Sequence, residues 1–326
     1  MEKRVLSTRG QLPGPGLDRL AAQVGLIRGP AEARPTAAAL QALATGVSGI
    51  LCLGNDLVDA ALLDAAGSQL RIVSLASAGF DGVDRAAAAE RGVVVTHTPG
   101  VLAETTADLV WSLILMARRR LGAARDQLHA GAWTTFHLHD HLGLDVHGTK
   151  LGLVGYGQIG RAVARRAAGF GVHVLCHDPY SAPDDGLAEP ADLETLLAQS
   201  DIVSLHVPLT ATTHNLIGAT ELRAMKPAAT LVNTSRGGVV DEKALLAALR
   251  AGTIHSAGLD VFEQEPRGAD VADLVAEARL VALPHVGSAT EATRSAMVNL
   301  AVDNLLAVLA GKPAHTPLPG TTPATQ

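Results

Sequence analysis

Leu151-Gly152-Leu153-Val154-Gly155-Tyr156-Gly157-Gln158-Ile159-Gly160-Arg161 decides the fold. A short apolar run enters a G-x-G-x-x-G, and the helical stretch Arg161 to Phe170 leaves it. In that setting Gly155 permits the tight turn, Gly157 lets backbone approach a pyrophosphate, and Gly160 lets helix pack on strand. Gln158 and Ile159 are counted with the glycines as cofactor-binding, and the free N–H groups and positive dipole end of the helix that follows favour an anion. The following run, Val172 to His177, ends in Asp178, where an acid accepts the hydrogen bonds of an adenosine ribose. A carboxylate there repels a 2′-phosphate, and His177-Asp178-Pro179-Tyr180 holds no Lys or Arg, so NAD is expected rather than NADP.

Outward from this stretch the same alternation continues. Strands are expected near Leu151 to Gly155, Val172 to His177, Ile202 to His206, Thr230 to Asn233, Ser256 to Asp260 and Arg279 to Ala282, six strands for one doubly wound parallel sheet. Before it, Gly49 to Leu53, Arg71 to Leu75 and Val93 to Thr96 read as strands, with helices at Ala37 to Ala44 and Val58 to Ala65, a smaller α/β unit. A long helix is expected from Leu102 to Leu121, its end marked by Arg118-Arg119-Arg120, and Gly131 to Gly148 reads as irregular. Glu291 to Leu309 closes the fold, and the Pro/Thr-rich tail from Gly311 is expected to fray.

Composition agrees. The 326 residues suit two α/β domains, and a chain 48% apolar buries enough surface to fold. With only 2% aromatic residues the core must be aliphatic. Twenty-six basic against 32 acidic residues argue against nucleic acid as a partner, since phosphate binding needs basic stripes. Cys52 and Cys176 stand far apart and the N-terminus has no secretory apolar core, so a reduced, cytoplasmic chain is expected. The apolar run Leu109 to Ala117 is too short to span a bilayer, and no membrane partner is expected.

Three further segments fall at strand ends, the edge where open α/β sheets bind ligands. They are Asn233-Thr234-Ser235-Arg236-Gly237-Gly238, Gly258-Leu259-Asp260-Val261-Phe262-Glu263-Gln264-Glu265-Pro266 and Leu283-Pro284-His285-Val286-Gly287-Ser288. Arg236 can fork onto a carboxylate and polarise a carbonyl, His285 can exchange a proton near neutrality, and Glu265 can hold the imidazole and raise its pKa. His137, His139 and His141 lack the spacing or cysteine partners of a metal centre, and no metal is expected.

From about Ile72 to Leu306 the order and wording of these motifs resemble the D-isomer-specific 2-hydroxyacid dehydrogenases. That resemblance implies two Rossmann-like domains, the nucleotide-binding one (100–286) inserted into a flavodoxin-like substrate domain (1–99 with 287–326), with hinges at His97 to Val101 and Pro284 to Ser288. It implies that Arg236, Glu265 and His285 are the catalytic set, Glu265 rather than Glu263 resting on the family alone. It further implies that backbone amides of Ser77, Ala78 and Gly79, with Arg236, hold the substrate carboxylate. Asp260 is to bind the nicotinamide carboxamide, and Leu102, Thr106, Pro208, Thr234, Ser235 and Gly287 are to line the cofactor. Relatives of this kind are homodimers in which the Gly131 to Gly148 loop crosses the interface, so Trp133 or Phe136 is a candidate to cap the partner's site.

The expected reaction is hydride transfer between NAD(H) and a small D-2-hydroxy or 2-oxo acid. Within the family, phosphoglycerate enzymes carry arginines near the substrate phosphate; here Leu75 precedes Ala76-Ser77 and Leu51 to Asp56 has no cation. Formate dehydrogenases have glutamine where Glu265 stands. Thr98 to Asp108 and Gly252 to Pro266 look most like glyoxylate, hydroxypyruvate and 2-ketogluconate reductases. The alternatives are a phosphoglycerate dehydrogenase-type enzyme and an NADH-sensing co-repressor-like binding protein on the same fold.

Overall fold

A computed structural model describes residues 3–31, 34–265 and 272–321. The chain divides into two compact units: a first unit of Met1–Leu102 with Ser288–Gln326, and a second of Ala103–Gly287.

In the first unit β1 (Arg4–Ser7), β2 (Gly25–Arg28), β3 (Gly49–Cys52), β4 (Ile72–Leu75) and β5 (Val94–Thr96) form a parallel sheet in the order β2-β1-β3-β4-β5. Side chains alternate across it, as strand geometry requires. Leu6, Ile50, Val73 and Val95 pack with α2 (Ala37–Ala44), α3 (Ala60–Ala66) and α4 (Arg85–Glu90). Val5, Leu51, Ile72 and Val94 pack with α1 (Gly16–Ala21) and α12 (Glu291–Leu309). Thr36, Asp59 and Asp84 cap α2, α3 and α4 by accepting from the backbone N–H three residues on.

Two of these strands, β1 and β2, are not among those expected from sequence; each sets an arginine beside its two large apolar residues, whereas β3, β4 and β5 hold no charged residue. The tail expected to fray is instead packed as far as Thr321. Leu318 is 1% exposed and donates its N–H to the Val95 carbonyl, while the Thr321 hydroxyl accepts from the Val95 N–H. The segment thereby covers β5, a sheet edge whose open polar groups would otherwise stay unpaired. Residues 322–326 of that tail, like Pro266, lie outside the described residues.

The second unit holds seven parallel strands where six are expected. They are β6 (Lys150–Val154), β7 (His173–His177), β8 (Glu189–Pro190), β9 (Ile202–Leu205), β10 (Thr230–Asn233), β11 (Ser256–Leu259) and β12 (Leu280–Ala282), in the order β12-β11-β10-β9-β6-β7-β8. The addition is β8, a two-residue edge strand. Leu151, Leu153, Val174 and Ile202 face α5 (Ala103–Arg118) and α7 (Gln158–Ala167). Val154, Leu175, Val203 and Leu205 pack in one core with α8 (Leu193–Gln199), α9 (Ala219–Ala224), α10 (Glu242–Ala251) and the short α11 (Ala272–Val275). Strand order reverses between β6 and β9, the switch point where such sheets open a crevice.

The long helix ends earlier than its cations suggest. α5 stops at Arg118, Arg120 takes the left-handed conformation (φ 52°), and α6 (Leu121–His129) begins anew. Arg118 is not a solvated cation at a helix end: it is 3% exposed and donates to the carbonyls of Asp145 and Asp201. Beyond α6, Trp133 and Phe136 stand 58% and 73% exposed. No helix among the described residues is long and apolar enough to cross a membrane.

Candidate active site

The three glycines of the motif differ in what surrounds them. Gly155 has φ 95°, and a Cβ there would fall 2.7 Å from the His206 carbonyl oxygen. At Gly160 a Cβ would collide with the Gly155 carbonyl oxygen. At Gly157 it would meet nothing within 4 Å, and the α7 N-terminus that follows, Gln158 and Ile159, is capped by no side chain. Two glycines therefore serve the turn and its packing, and the third leaves open room before uncapped amides. That cradle fits a dinucleotide pyrophosphate.

Asp178 ends β7. Its Oδ2 accepts from the Tyr156 N–H (2.8 Å) and its Oδ1 from the N–H groups of Tyr180 (2.9 Å) and Ser181 (3.1 Å). The carboxylate thus organises the loop and lines a cavity of about 310 Å³ with His177, Tyr180 and Pro190. The neighbouring cation Arg161 is engaged by Asp184 (2.5 Å) and Asp185 (3.0 Å) and lies over the Tyr156 ring.

Further along the same sheet edge, β10 opens into the Arg236 turn. Asn233 Oδ1 accepts from the N–H and hydroxyl of Ser235 (3.0 and 2.8 Å), and Asn233 Nδ2 donates to the Arg236 carbonyl (2.8 Å). Arg236 Nη1 donates to the Ser235 carbonyl (2.6 Å). Any side chain at Gly237 would collide with backbone at Phe262, so this glycine seats the Arg236 turn against the Glu265 loop. There Glu265 Oε1 accepts from the Phe262 N–H (2.8 Å), and Oε2 meets His285 Nδ1 at 2.5 Å. Glu265, not Glu263, is the acid on the imidazole.

This pair sets its own protonation. The hydrogen bond to Glu265 raises the His285 pKa above the usual 6.5, against partial burial and the nearby Arg236 charge. Burial works against the Glu265 carboxylate, but the His285 bond and charge, the Phe262 amide and Arg236 outweigh it and hold its pKa below the ordinary value. The imidazole is half-exposed, its Nδ1 committed to Glu265 and its Nε2 left as the atom to exchange a proton. His285 sits at φ 54°, a left-handed conformation rare without glycine. What holds it there is Asp260, whose carbonyl accepts from the His285 N–H and whose carboxylate accepts from Val286 (2.7 Å) and Gly287 (2.8 Å). Asp260 is 1% exposed, and burial pushes its pKa up. Thr106 Oγ1 donates to the Gly287 carbonyl (3.3 Å).

The second unit therefore brings together Arg236, Glu265, His285, Asp260, Gly287 and Thr106, with Thr234 and Ser235 in the adjoining turn. Thr234 Oγ1 is buried without a partner among the described residues, an orphan at the very edge where the resemblance puts a cofactor. Pro208 lies in the exposed loop after β9, where its carbonyl accepts from Thr213 Oγ1. Leu102 and the Ser77-Ala78-Gly79 segment belong to the first unit, the latter following β4. In the His137 to His141 loop, His141 Nε2 bonds Gln127 Oε1.

Two residues carry no role from sequence alone. Asn233 lies inside a quoted motif, yet only the folded turn shows it organising Arg236. His206 is one of thirteen histidines; its two ring nitrogens are buried without partners among the described residues, beside the glycine turn, and burial pushes its pKa down to about 3.

Comparison with known proteins adds the following. The sequence profile of the NAD binding domain of D-isomer specific 2-hydroxyacid dehydrogenases matches residues 111–287. Glyoxylate reductase of Korarchaeum cryptofilum is 44% identical over 96% of this chain and 94% of its own. Glyoxylate/hydroxypyruvate reductase B of Erwinia tasmaniensis is 48% identical over 81% of this chain and 83% of its own. Among solved structures, an NADPH-dependent glyoxylate/hydroxypyruvate reductase from Sinorhizobium meliloti, in complex with citrate, superimposes with a TM-score of 0.84 at 38% identity, covering 98% of both chains.

Proposed function

The chain belongs to the D-isomer specific 2-hydroxyacid dehydrogenases, and from that premise we propose that it is an NADH-linked reductase of short, unphosphorylated 2-oxo acids, glyoxylate and hydroxypyruvate foremost. The observation that carries the proposal is the 2.5 Å Glu265–His285 pair beside Arg236 on one sheet edge. Bound dihydronicotinamide supplies the hydride. Arg236 forks onto the oxo acid, orienting it and stabilising the alkoxide that develops at the carbonyl oxygen. His285 Nε2 gives its proton to that oxygen, and Glu265 keeps the imidazole charged until it does so. In the oxidative direction neutral His285 takes the hydroxyl proton.

The Gly157 cradle and the uncapped start of α7 are assigned to the cofactor pyrophosphate, with Asp178 on the adenosine ribose. Arg161 is bound by Asp184 and Asp185 and so is poorly placed to welcome a 2′-phosphate, which supports NAD. The Ser77 to Gly79 amides are assigned to the substrate carboxylate. In that unit the buried Arg9 is committed to Asp56, which supports a substrate without a phosphate. The exposed Trp133 and Phe136 are assigned to a homodimer contact.

The test is a panel of glyoxylate, hydroxypyruvate, pyruvate, 2-ketogluconate and 3-phosphohydroxypyruvate, each assayed with NADH and NADPH. The highest kcat/KM is expected for glyoxylate or hydroxypyruvate with NADH. A preference for the phosphorylated acid or for NADPH overturns the corresponding part of the assignment.

A further inference from the structure

The carboxylate assignment just made rests on backbone, and backbone offers an anion two opposed surfaces: amides attract it and carbonyl oxygens repel it. In Ser77-Ala78-Gly79 all three carbonyls are already taken. Ser77 O accepts from the Thr98 N–H (2.8 Å), Ala78 O from His97 Nδ1 (2.8 Å) and Gly79 O from the Ser77 hydroxyl (2.7 Å). None of the three amides donates to a described residue. Successive N–H groups left free in this way are available to an anion.

Of the three clamps, one is a backbone amide and one comes from within the segment itself. The third, His97, is a side chain brought from the end of β5. Because Ala78 presents only an oxygen, Nδ1 must carry the hydrogen, which fixes the tautomer. The residue is itself held firmly. Its N–H donates to the Thr316 carbonyl (3.2 Å) and its carbonyl accepts from the Thr316 hydroxyl (2.6 Å), while the buried Asn304 of α12 donates to that hydroxyl (2.8 Å). The ring meets Phe80 edge-on at 5.6 Å. Gly54 also passes so close that a Cβ would fall 2.7 Å from Ser77 Oγ. The segment has little room to turn its carbonyls back unless the His97 bond is lost.

We propose that His97 is a positioning residue for substrate: by holding the Ala78 carbonyl it keeps the Ser77 to Gly79 amides presented to the carboxylate of the 2-oxo acid. This depends on those amides being the carboxylate site. His97→Leu removes the donor, and the loss of one hydrogen bond should raise KM for glyoxylate roughly tenfold, with kcat and NADH affinity unchanged. His97→Asn places an amide N–H where Nδ1 stands and should restore KM to within about twofold, a rescue that a bulk-packing role would not produce. His97→Ser, too short to reach Ala78, serves if the leucine variant does not fold. Ala78→Pro deletes one of the three amides directly, with NADH binding and melting temperature as controls for folding. A raised KM in Leu or Ser, rescued by Asn, supports the proposal. If Ala78→Pro raises KM but His97→Leu and His97→Ser do not, His97 has no positioning role while the carboxylate assignment stands. If none of them raises KM, both fall. If Asn fails to rescue, His97 merely packs and the proposal is overturned.

Discussion

Both units end their parallel strands in loops that handle charge, but by opposite means. In the second unit charged side chains lie at the edge itself: Arg236 beside the Glu265–His285 pair, none neutralised into silence. In the first the Arg9–Asp56 pair turns inward. Asp56, 2% exposed, accepts from Thr8 Oγ1 (2.6 Å), Arg9 Nη2 (2.9 Å) and the Leu53 N–H (3.0 Å), and the Ser77 to Gly79 segment offers backbone amides. On the proposed function, the side chains that titrate do the chemistry, and a cancelled ion pair with a row of amides does the recognition. The first kind of edge should fail in rate when mutated, the second in stability or KM.

The sharpest break in that contrast is expected at His285. His285→Gln should lower turnover roughly 10²- to 10⁴-fold while NADH titration stays unchanged; near-normal turnover would remove the imidazole from the chemistry. Next comes Arg9→Ala, which leaves the buried Asp56 carboxylate only the distant Arg34 (3.9 Å) as a cation and should cost about 3 kcal/mol in denaturant unfolding with kcat of the folded protein retained. A fall in kcat larger than the fall in stability would make Arg9 a reactive group and blur the comparison.

Smaller effects sharpen the second edge. Gly157→Ala should weaken NADH binding about tenfold with an unaltered melting temperature, since its Cβ enters only open space, whereas Gly160→Ala should lower the melting temperature because its Cβ strikes the Gly155 carbonyl. Equal melting temperatures for the two would refute the division of labour among the glycines. Glu265→Gln should move a pH profile. Reduction needs protonated His285, so the rate holds below the raised pKa and falls as pH rises through it. Removing the carboxylate drops that pKa back, shifting the descending limb of reduction, and the ascending limb of oxidation, to lower pH. A limb that stays in place would detach Glu265 from the proton. The least change is expected from Asp178→Ala, a relaxation of NADH over NADPH preference by about tenfold in kcat/KM.

What could be read in advance follows the range of the forces involved. The second unit was legible because each of its functional turns is written contiguously: glycines, arginine and histidine all stand within a few residues of a strand end. The same holds for the α/β architecture, since buried parallel strands are apolar runs. The misses are long-range. β1 and β2 each break a two-residue apolar run with an arginine and are completed by pairing with each other; Leu318 is buried only because β5 needs an edge partner; Arg118 looks like a helix-end cation until the carbonyls of Asp145 and Asp201 close around it. Arg9–Asp56 and His97–Ala78 join positions 47 and 19 residues apart, and no local motif announces either.

The left-handed backbone at His285 has one more consequence. Glycine would rest there without strain, and holding any other residue in that conformation costs on the order of 1–3 kcal/mol, met here by the grip of Asp260 on the loop. Drift toward a sturdier fold and drift toward a faster enzyme therefore pull this codon in opposite directions. A lineage released from the need for turnover would be expected to lose its imidazole to glycine before it lost its shape.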